Sequence, residues 1–371
     1  MARIEDYAII GDLNTAALVG RSGSIDWMCL PRFDSPACFA ALLHTPPTPA
    51  AGCWRPPEQR TAATAPDANT VRTPSSWKRN GKLTADPCGS SISCPSATTP
   101  WIWCGSSKEC RARSPCRWNW SCALITAGWC RGSVMASTAS ARWPAPPTAP
   151  TSPPPRSPGG RDKRTFSEFT VRAGERVPFV LRWAPSHERE PRRINPMHAL
   201  EATESFWLEW IGRSEMTGKY KEPVERSLIT LKALTYAPTG GIVAAATTSL
   251  PEQIGGPPRN WDYRYCWLRD ATLTLQSLLA AGYTEEAAAW RDWLLRAIAG
   301  DPSELQIVYG LDGARRLPEA DIPWLSGYEG SLPVRTGNAA APPQLQLDVW
   351  GRSPGRAFAD QGGIPPGWQC G

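Results

Sequence analysis

What this sequence lacks narrows it first. No run of about eighteen apolar residues occurs, so no helix is expected to cross a bilayer. The opening Met1-Ala2-Arg3-Ile4-Glu5-Asp6 has no apolar stretch behind its one basic residue, so no secretory signal is expected and the cytoplasm is the expected location. Cysteine is plentiful, but the spacings that carry chemistry are missing. None of the twelve cysteines forms a CxxC pair, although Cys104, Cys110, Cys116 and Cys122 step by six. No histidine lies between 46 and 164, the stretch that holds eight of the cysteines, so neither a zinc site nor another metal is expected. Outside a secretory context a disulfide framework is not expected either.

Acidic residues are also scarce in that stretch. Residues 46–164 carry sixteen Lys and Arg against five Asp and Glu, an excess of eleven. The whole chain is at +6, so the remainder is at 6 − 11 = −5, an ordinary balance for an enzyme. A nucleic-acid reading would need the basic charge on a patterned, folded element. Here it sits where neither a period of 2 nor one of 3.6 persists, and no nucleic-acid partner is expected.

Three textures follow one another. Residues 1–45 are well mixed and read as short strands over Tyr7–Asp12, Ala16–Gly20 and Ile25–Met28, with a turn at Arg21–Ser24 and a short helix from Cys38 to Leu43. Residues 46–164 are crowded with Pro, Ser, Thr, Arg, Cys and Trp, and hold eight of the nineteen tryptophans. Disordered segments are poor in Trp and Cys, and cores are rich in Leu, Val and Ile. The stretch matches neither, and its composition is that of a GC-rich coding region read out of frame. A low-complexity linker is the alternative, although 119 residues is long for one.

From 165 the texture is again that of a folded protein. Phe166–Val171 and Val177–Trp183 alternate like strands on either side of a turn at Ala173-Gly174-Glu175. The period then becomes helical. Leu200, Thr203, Phe206-Trp207 and Trp210-Ile211 share one face, and Val224, Leu228, Leu231 and Leu234 share another behind Pro223. Ala271–Ala281 is a third helix ended by Gly282, and a fourth, capped by Thr284, runs to Gly300. Strands leading into paired helices predict an α+β multidomain chain. After Gly351 the odd texture returns.

Several ordered blocks resemble the bacterial enzymes of glycoside hydrolase family 15, the glucoamylase- and trehalase-like group. They begin with Glu5-Asp6-Tyr7-Ala8-Ile9-Ile10-Gly11-Asp12, Gly23-Ser24-Ile25-Asp26-Trp27 and Pro31-Arg32-Phe33-Asp34-Ser35. They continue from Leu228 through Pro238-Thr239-Gly240-Gly241 and Thr247-Thr248-Ser249-Leu250-Pro251-Glu252 to Arg259-Asn260-Trp261-Asp262-Tyr263-Arg264-Tyr265-Cys266-Trp267-Leu268-Arg269-Asp270. Gly327-Tyr328-Glu329-Gly330-Ser331, Pro333-Val334-Arg335, Gly337-Asn338-Ala339 and Gln346-Leu347-Asp348-Val349-Trp350-Gly351 complete the set. The resemblance implies an N-terminal antiparallel β-supersandwich followed by an (α/α)6 barrel, here partial. On that pattern 1–45 starts the sandwich domain, 165–190 ends it and 191–351 begins the barrel. The stretches 46–164 and 352–371 stand outside it. Helices left without their barrel neighbours would expose apolar faces.

It implies, too, inverting exo-hydrolysis of α-glucosides with release of glucose. No cofactor is implied, no membrane partner is expected, and no oligomeric state is assigned. Physically, the aromatic rings of Trp261, Tyr263, Tyr265 and Trp267 among Asp262, Arg264, Arg269 and Asp270 suit a pyranose, with faces for its C–H groups and directional partners for its hydroxyls. The same residues could equally form a helix start braced by an Arg–carboxylate network. By the family pattern Arg269 and Asp270 hold the terminal glucose, with Trp267 and Tyr265 beside it. Arg335 and Asn338 are further candidates for sugar contact, with loop bracing as the other reading. Glu329 is an isolated acid in that loop, and Trp324 could line a pocket or simply pack.

Inversion needs two carboxyl groups roughly 6.5–9.5 Å apart, one protonating the leaving oxygen and the other activating water. The family's acid is a Glu directly after the Tyr/Trp-Gly pair of the Gln-Leu-Asp-Val block. Arg352 stands there, and an arginine donates no proton near neutral pH. The family's base is expected further along than this sequence reaches. The expectation is therefore an inactive hydrolase, or a protein that binds an α-glucoside without cleaving it.

Overall fold

The computed structural model describes residues 2–21, 23–44, 195–255, 258–298, 305–339, 344 and 346, together with the backbone of seven strands between 53 and 182. It divides into two compact units, Met1–Glu209 with Trp324–Gly330, and Trp210–Pro323 with Ser331–Gly371.

The first unit is built on antiparallel sheet. Strands β1 (Tyr7–Gly11), β2 (Ala16–Gly20), β3 (Ile25–Cys29) and β4 (Ala37–Phe39) are followed by β5 (Cys53–Gln59), β6 (Ser90–Ser93), β7 (Ile102–Ser107) and β8 (Ser114–Ser121). Strands β9 (Gly159–Arg161), β10 (Arg164–Val171) and β11 (Pro178–Arg182) complete the series. Eight of them form one sheet in the order β1-β2-β3-β5-β8-β10-β9 with β4 on β3, and β11-β7-β6 form a second. Five strands thus fall within 46–164, and β8 pairs with both β5 and β10.

Alternation explains the first strands. Ala17, Val19, Ile25 and Trp27 are wholly buried, and Phe33, Phe39, Leu42 and Leu43 close the same core. The β1–β2 turn is held by a buried carboxylate: Asp12 Oδ1 accepts the amides of Asn14 (3.1 Å) and Thr15 (3.3 Å). Burial pushes the Asp12 carboxyl up to about 6, more than these hydrogen bonds pull it down. Tyr7 donates its hydroxyl to Asp26 Oδ2 at 2.7 Å, tying β1 to β3 across β2, and burial together with Asp26 raises the phenol well above its ordinary value.

One expectation is corrected here. Cys38–Leu43 is not a helix, because Ala37–Phe39 satisfies its backbone on β3 (Met28 opposite Phe39, Cys29 opposite Ala37) and only Ala41–Leu43 turns, as 3₁₀. Strands do stand on either side of 173–175, where β10 lies between β8 and β9 and β11 lies on β7. The turn itself is outside the described residues.

Four α-helices occur among the described residues: α1 (Pro196–Gly212), α2 (Lys221–Ala233), α3 (Leu268–Ala280) and α4 (Thr284–Ala297). Leu200, Thr203 and Trp210 form the buried stripe of α1. Gly282, at φ +90°, ends α3 in the left-handed conformation that a Cβ disfavours. Thr284 does not cap α4; Tyr283 occupies the cap position and Thr284 is already helical, with Glu285 and Glu286 in the first turn where the helix dipole favours acids.

In the second unit a buried ion pair ties α2 to α4. Lys232 Nζ on α2 meets Glu286 Oε1 on α4 at 2.9 Å, and Trp210 Nε1 donates to the same oxygen at 2.7 Å. Trp210 stacks on Tyr283 at 4.2 Å between centroids. Burial raises the Glu286 carboxyl, but Lys232 and Trp210 outweigh it and leave it below its ordinary value. Two short ladders, β12 (Cys266–Trp267) with β13 (Val308–Tyr309) and β14 (Ala320–Asp321) with β15 (Arg335–Thr336), carry the loops described next. No helix among the described residues is long and apolar enough to cross a membrane.

Candidate functional site

The stretch Trp261–Trp267 lies against residues 244–249 and bends at Tyr265 before entering β12. Ala244, Ala245 and Ser249 donate their amides to the carbonyls of Tyr265, Tyr263 and Trp261. Burial alternates along the chain up to Arg264, and from Tyr265 to Leu268 every residue is buried. Asp262, Arg264 and Cys266 are almost wholly buried, whereas Trp261 and Tyr263 stay partly open. This period-2 alternation of aromatics against small or charged residues was legible in the sequence and separates the two groups of charges that composition alone mixes.

The buried face is a brace. Arg264 forks onto Asp262, with Nε to Oδ1 at 2.9 Å and Nη2 to Oδ2 at 2.6 Å. Asp262 Oδ2 also accepts the Gly337 amide at 3.0 Å, and the Asp262 carbonyl accepts Asn338 Nδ2 at 3.1 Å. Gly337, at φ +83°, lies so close to the Pro318 carbonyl that a Cβ would collide with it. Asn338 is 2% exposed, and its contacts are those of loop bracing. Arg335 is engaged as well: Nη1 donates to Glu319 Oε1 at 2.9 Å, the guanidinium lies 4.7 Å from the Trp261 ring centroid, and its backbone is held by Thr248 and Ser249. Glu319 had no signal in the sequence, because its pairing depends on the β14–β15 register.

Beyond Tyr265 the chain passes through β12 straight into α3, buried as far as Leu268 and part-open at Arg269 and Asp270. Trp267 ends β12, takes the N-cap position in extended conformation, and is followed by Arg269 and Asp270 in the first helical turn. With no loop between ladder and helix, these three side chains are fixed by both. The Arg269 guanidinium lies 5.6 Å from the Trp267 ring centroid, and its Nη2 is 3.0 Å from Asp270 Oδ2. That carboxylate oxygen is buried and meets Arg269 outside hydrogen-bond geometry, and Trp267 Nε1 is buried with no hydrogen-bond partner among the described residues. The two side chains are 35% and 38% exposed. Arg269 Nη1 also donates to Gln346 Oε1 at 3.3 Å, a contact within the Gln-Leu-Asp-Val block that the sequence reading gave no role.

Tyr263 sits beside Trp267, ring centroids 5.8 Å apart, and donates to Glu252 Oε1 at 3.2 Å. Burial, then Glu252, raises its phenol. Tyr265 is 8% exposed and offers its carbonyl to Ala244. The structure therefore gathers the part-open Arg269 and Asp270 with Tyr263 and Gln346 about a buried Trp267, places Asn338 on Asp262, and places Arg335 between Glu319 and the Trp261 ring. Glu329 is exposed at φ +49° in the first unit, where Trp324 is 38% exposed as well. Arg352 lies outside the described residues. Among the described residues no three His, Cys, Asp or Glu gather to hold a metal.

Comparison with known proteins gives the class. Residues 218–353 match glycosyl hydrolases family 15, and residues 1–67 match the trehalase-like N-terminal family. With both regions in that order, the chain is a trehalase-like sequence of glycoside hydrolase family 15. Its relatives are trehalases. It is 30% identical over 386 residues to a trehalase of Mycolicibacterium smegmatis, across 94% of this chain and 55% of that protein. It is 41% identical over 165 residues to a trehalase of Thermoplasma acidophilum, across 44% of this chain and 28% of that protein. It is 47% identical over 155 residues to trehalase 1 of Sulfolobus acidocaldarius, across 42% of this chain and 26% of that protein. The chain spans about half the length of the mycobacterial relatives it matches. No solved structure matches it.

Proposed function

We propose that the chain descends from an inverting, exo-acting α-glucosidase of trehalase or glucoamylase type that releases glucose, and that it holds an α-glucoside without hydrolysing it. The observation that carries this is the Trp267–Arg269–Asp270 group: a ring face, a cationic fork and a carboxylate at one part-open point on a ladder–helix junction. The ring would take the C–H face of a glucose unit, and Arg269 and Asp270 its hydroxyls, with Tyr265 behind them. Asn338 would shape the wall through Asp262, and Arg335 through Glu319 and Trp261. Trehalose and maltose both present such a terminal α-glucose.

Loss of hydrolysis rests on Arg352, at the acid's place in the family pattern. A guanidinium keeps its protons near neutral pH and cannot protonate a leaving glycosidic oxygen. In the same proposal 1–45 and 165–190 belong to the β-supersandwich, and 191–351 to the first part of an (α/α)6 barrel. Residues 46–164 and 352–371 would be out-of-frame sequence.

The test is calorimetric titration of the full chain with trehalose and maltose, beside an assay for released glucose. Heat without glucose is expected and favours the binding-protein reading. Glucose release would refute the loss of hydrolysis, and no heat at millimolar sugar would refute the sugar-holding assignment.

A further inference from the structure

We propose that Ser249 is a positioning residue that sets the Arg335 guanidinium on the Trp261 ring; the ligand half of this inference rests on the sugar-holding function proposed above, in which Arg335 shapes the wall. The cation–π contact joins two stretches distant in sequence, and one serine is bonded to both. Ser249 donates its amide to the Trp261 carbonyl at 3.0 Å. Its hydroxyl accepts the Arg335 amide at 2.8 Å and donates to the Arg335 carbonyl at 3.0 Å. Thr248 donates its own hydroxyl to the same carbonyl at 2.7 Å. The backbone of Arg335 is thus gripped at its N–H and at its C=O by two consecutive hydroxyls.

The backbone of Ser249 supports the same reading. It is wholly buried and stands at φ +59°, a left-handed conformation that costs a residue with a Cβ free energy. Glycine would take this φ without strain but has no hydroxyl. The left-handed turn directs the N–H to Trp261 and the side chain to Arg335 within one residue. Strand β15 is only two residues long, so its ladder with β14 gives Arg335 little support of its own. With the backbone fixed, the side chain has two anchors. Its Nη1 donates to Glu319 Oε1 at 2.9 Å, and the guanidinium centre lies 4.7 Å from the Trp261 ring centroid. Trp261 stays part-open, so the cation lying against its ring governs how the indole stands toward a ligand.

The experiment uses the full chain as wild type, Ser249→Ala, Thr248→Val, Trp261→Leu and Arg335→Lys, with two readouts. Proton–nitrogen NMR of the arginine side chains, assigned with Arg335→Lys, reads the upfield shift that the Trp261 ring current gives the Arg335 side chain, and Trp261→Leu sets its zero. Without any ligand, the shift should be mostly lost in Ser249→Ala and partly lost in Thr248→Val. An undiminished shift in Ser249→Ala overturns the proposal; if that variant does not fold, an undiminished shift in Thr248→Val overturns it. Titration with trehalose and maltose reads the consequence. Binding should weaken roughly tenfold in Ser249→Ala and in Arg335→Lys, and no further in the double variant, because the serine acts through the arginine. Losses that add in the double variant, or unchanged affinity in Ser249→Ala, remove the ligand half. If wild type takes no sugar while Ser249→Ala loses the shift, the positioning stands and the sugar-holding function falls.

Discussion

Replacing Lys232 by methionine tests whether the second unit is braced by charge or by packing. Lys232 and Glu286 are 13% and 4% exposed in their side chains, so each charge relies on the other more than on water. Removing one member of such a pair strands the other, at a cost of about 3 kcal/mol. Methionine keeps most of the stem's apolar contacts, including those with the Trp210 ring, 5.7 Å from the ammonium. The loss should therefore come from Glu286, left with Trp210 as its donor. The double variant Lys232→Met/Glu286→Gln restores neutrality and keeps an acceptor for Trp210, and should recover to within about 1 kcal/mol of wild type. The pH dependence gives the sharper check. In wild type the Glu286 carboxyl lies below its ordinary value of 4.5, so the pair's contribution is present above pH 4.5 and lost as pH falls through the lower folded value. Without Lys232 the largest influence left is burial, which raises the carboxyl. Protonation then relieves the stranded charge, and the variant's deficit should shrink between pH 7.5 and pH 5. Urea unfolding followed by tryptophan fluorescence at those two pH values measures both effects. A deficit under 1 kcal/mol at pH 7.5, or one equal at the two pH values, would refute the reasoning.

In the first unit, the Asp12 carboxyl is raised from 3.8 to about 6, so the folded state binds the proton more readily and stability falls as pH rises through that window. At ~1.4 kcal/mol per pH unit the difference is worth about 3 kcal/mol at pH 7.5. Asp12→Asn, which keeps the acceptor for Asn14 and Thr15, should therefore stabilise at pH 7.5 and not at pH 4, as read by thermal unfolding. Gly337→Ala should cost at least about 2 kcal/mol, since a Cβ meets the Pro318 carbonyl at a left-handed φ; an unchanged melting temperature would show that the loop gives way. Arg269→Ala and Asp270→Ala should each abolish detectable heat with trehalose and leave the unfolding midpoint within the range of surface substitutions, because both side chains are more than a third exposed.

The elements with a strong local period were legible. The three first strands, the buried stripe of α1 and the Gly282 stop of α3 follow from alternation, 3.6-residue spacing and a left-handed glycine. What failed was settled by partners far away in sequence. Ala37–Phe39 looks helical until β3 offers its ladder, and the partners of β10 and β11, which are β8 and β7, have no local signal. The site was legible as a composition, aromatic rings among arginines and carboxylates, but not as a geometry. Arg335 looked as suited to a sugar as Arg269 because nothing local announces Glu319, which reaches it through the β14–β15 register.

The two Arg–Asp pairs of one short stretch show what the structure adds. Asp262–Arg264 and Arg269–Asp270 carry the same groups, and either could serve a hydroxyl. Their surroundings separate them. The first pair is 0% and 2% exposed and closed by two further donors, the Gly337 amide and the Asn338 amide group. Opening it to a ligand would expose a buried ion pair and release the loop it holds. The second is more than a third exposed, makes its mutual contact outside hydrogen-bond geometry, and sits over a tryptophan whose Nε1 has no hydrogen-bond partner among the described residues. A buried polar atom left unpaired costs roughly 1–3 kcal/mol, and a hydroxyl-bearing ligand at this group would recover part of it. Closed charges hold a fold, and a part-open pair is where a ligand can reach. Alternation along 261–264 makes the division, turning Asp262 and Arg264 inward before β12 delivers Arg269 and Asp270 to the start of α3.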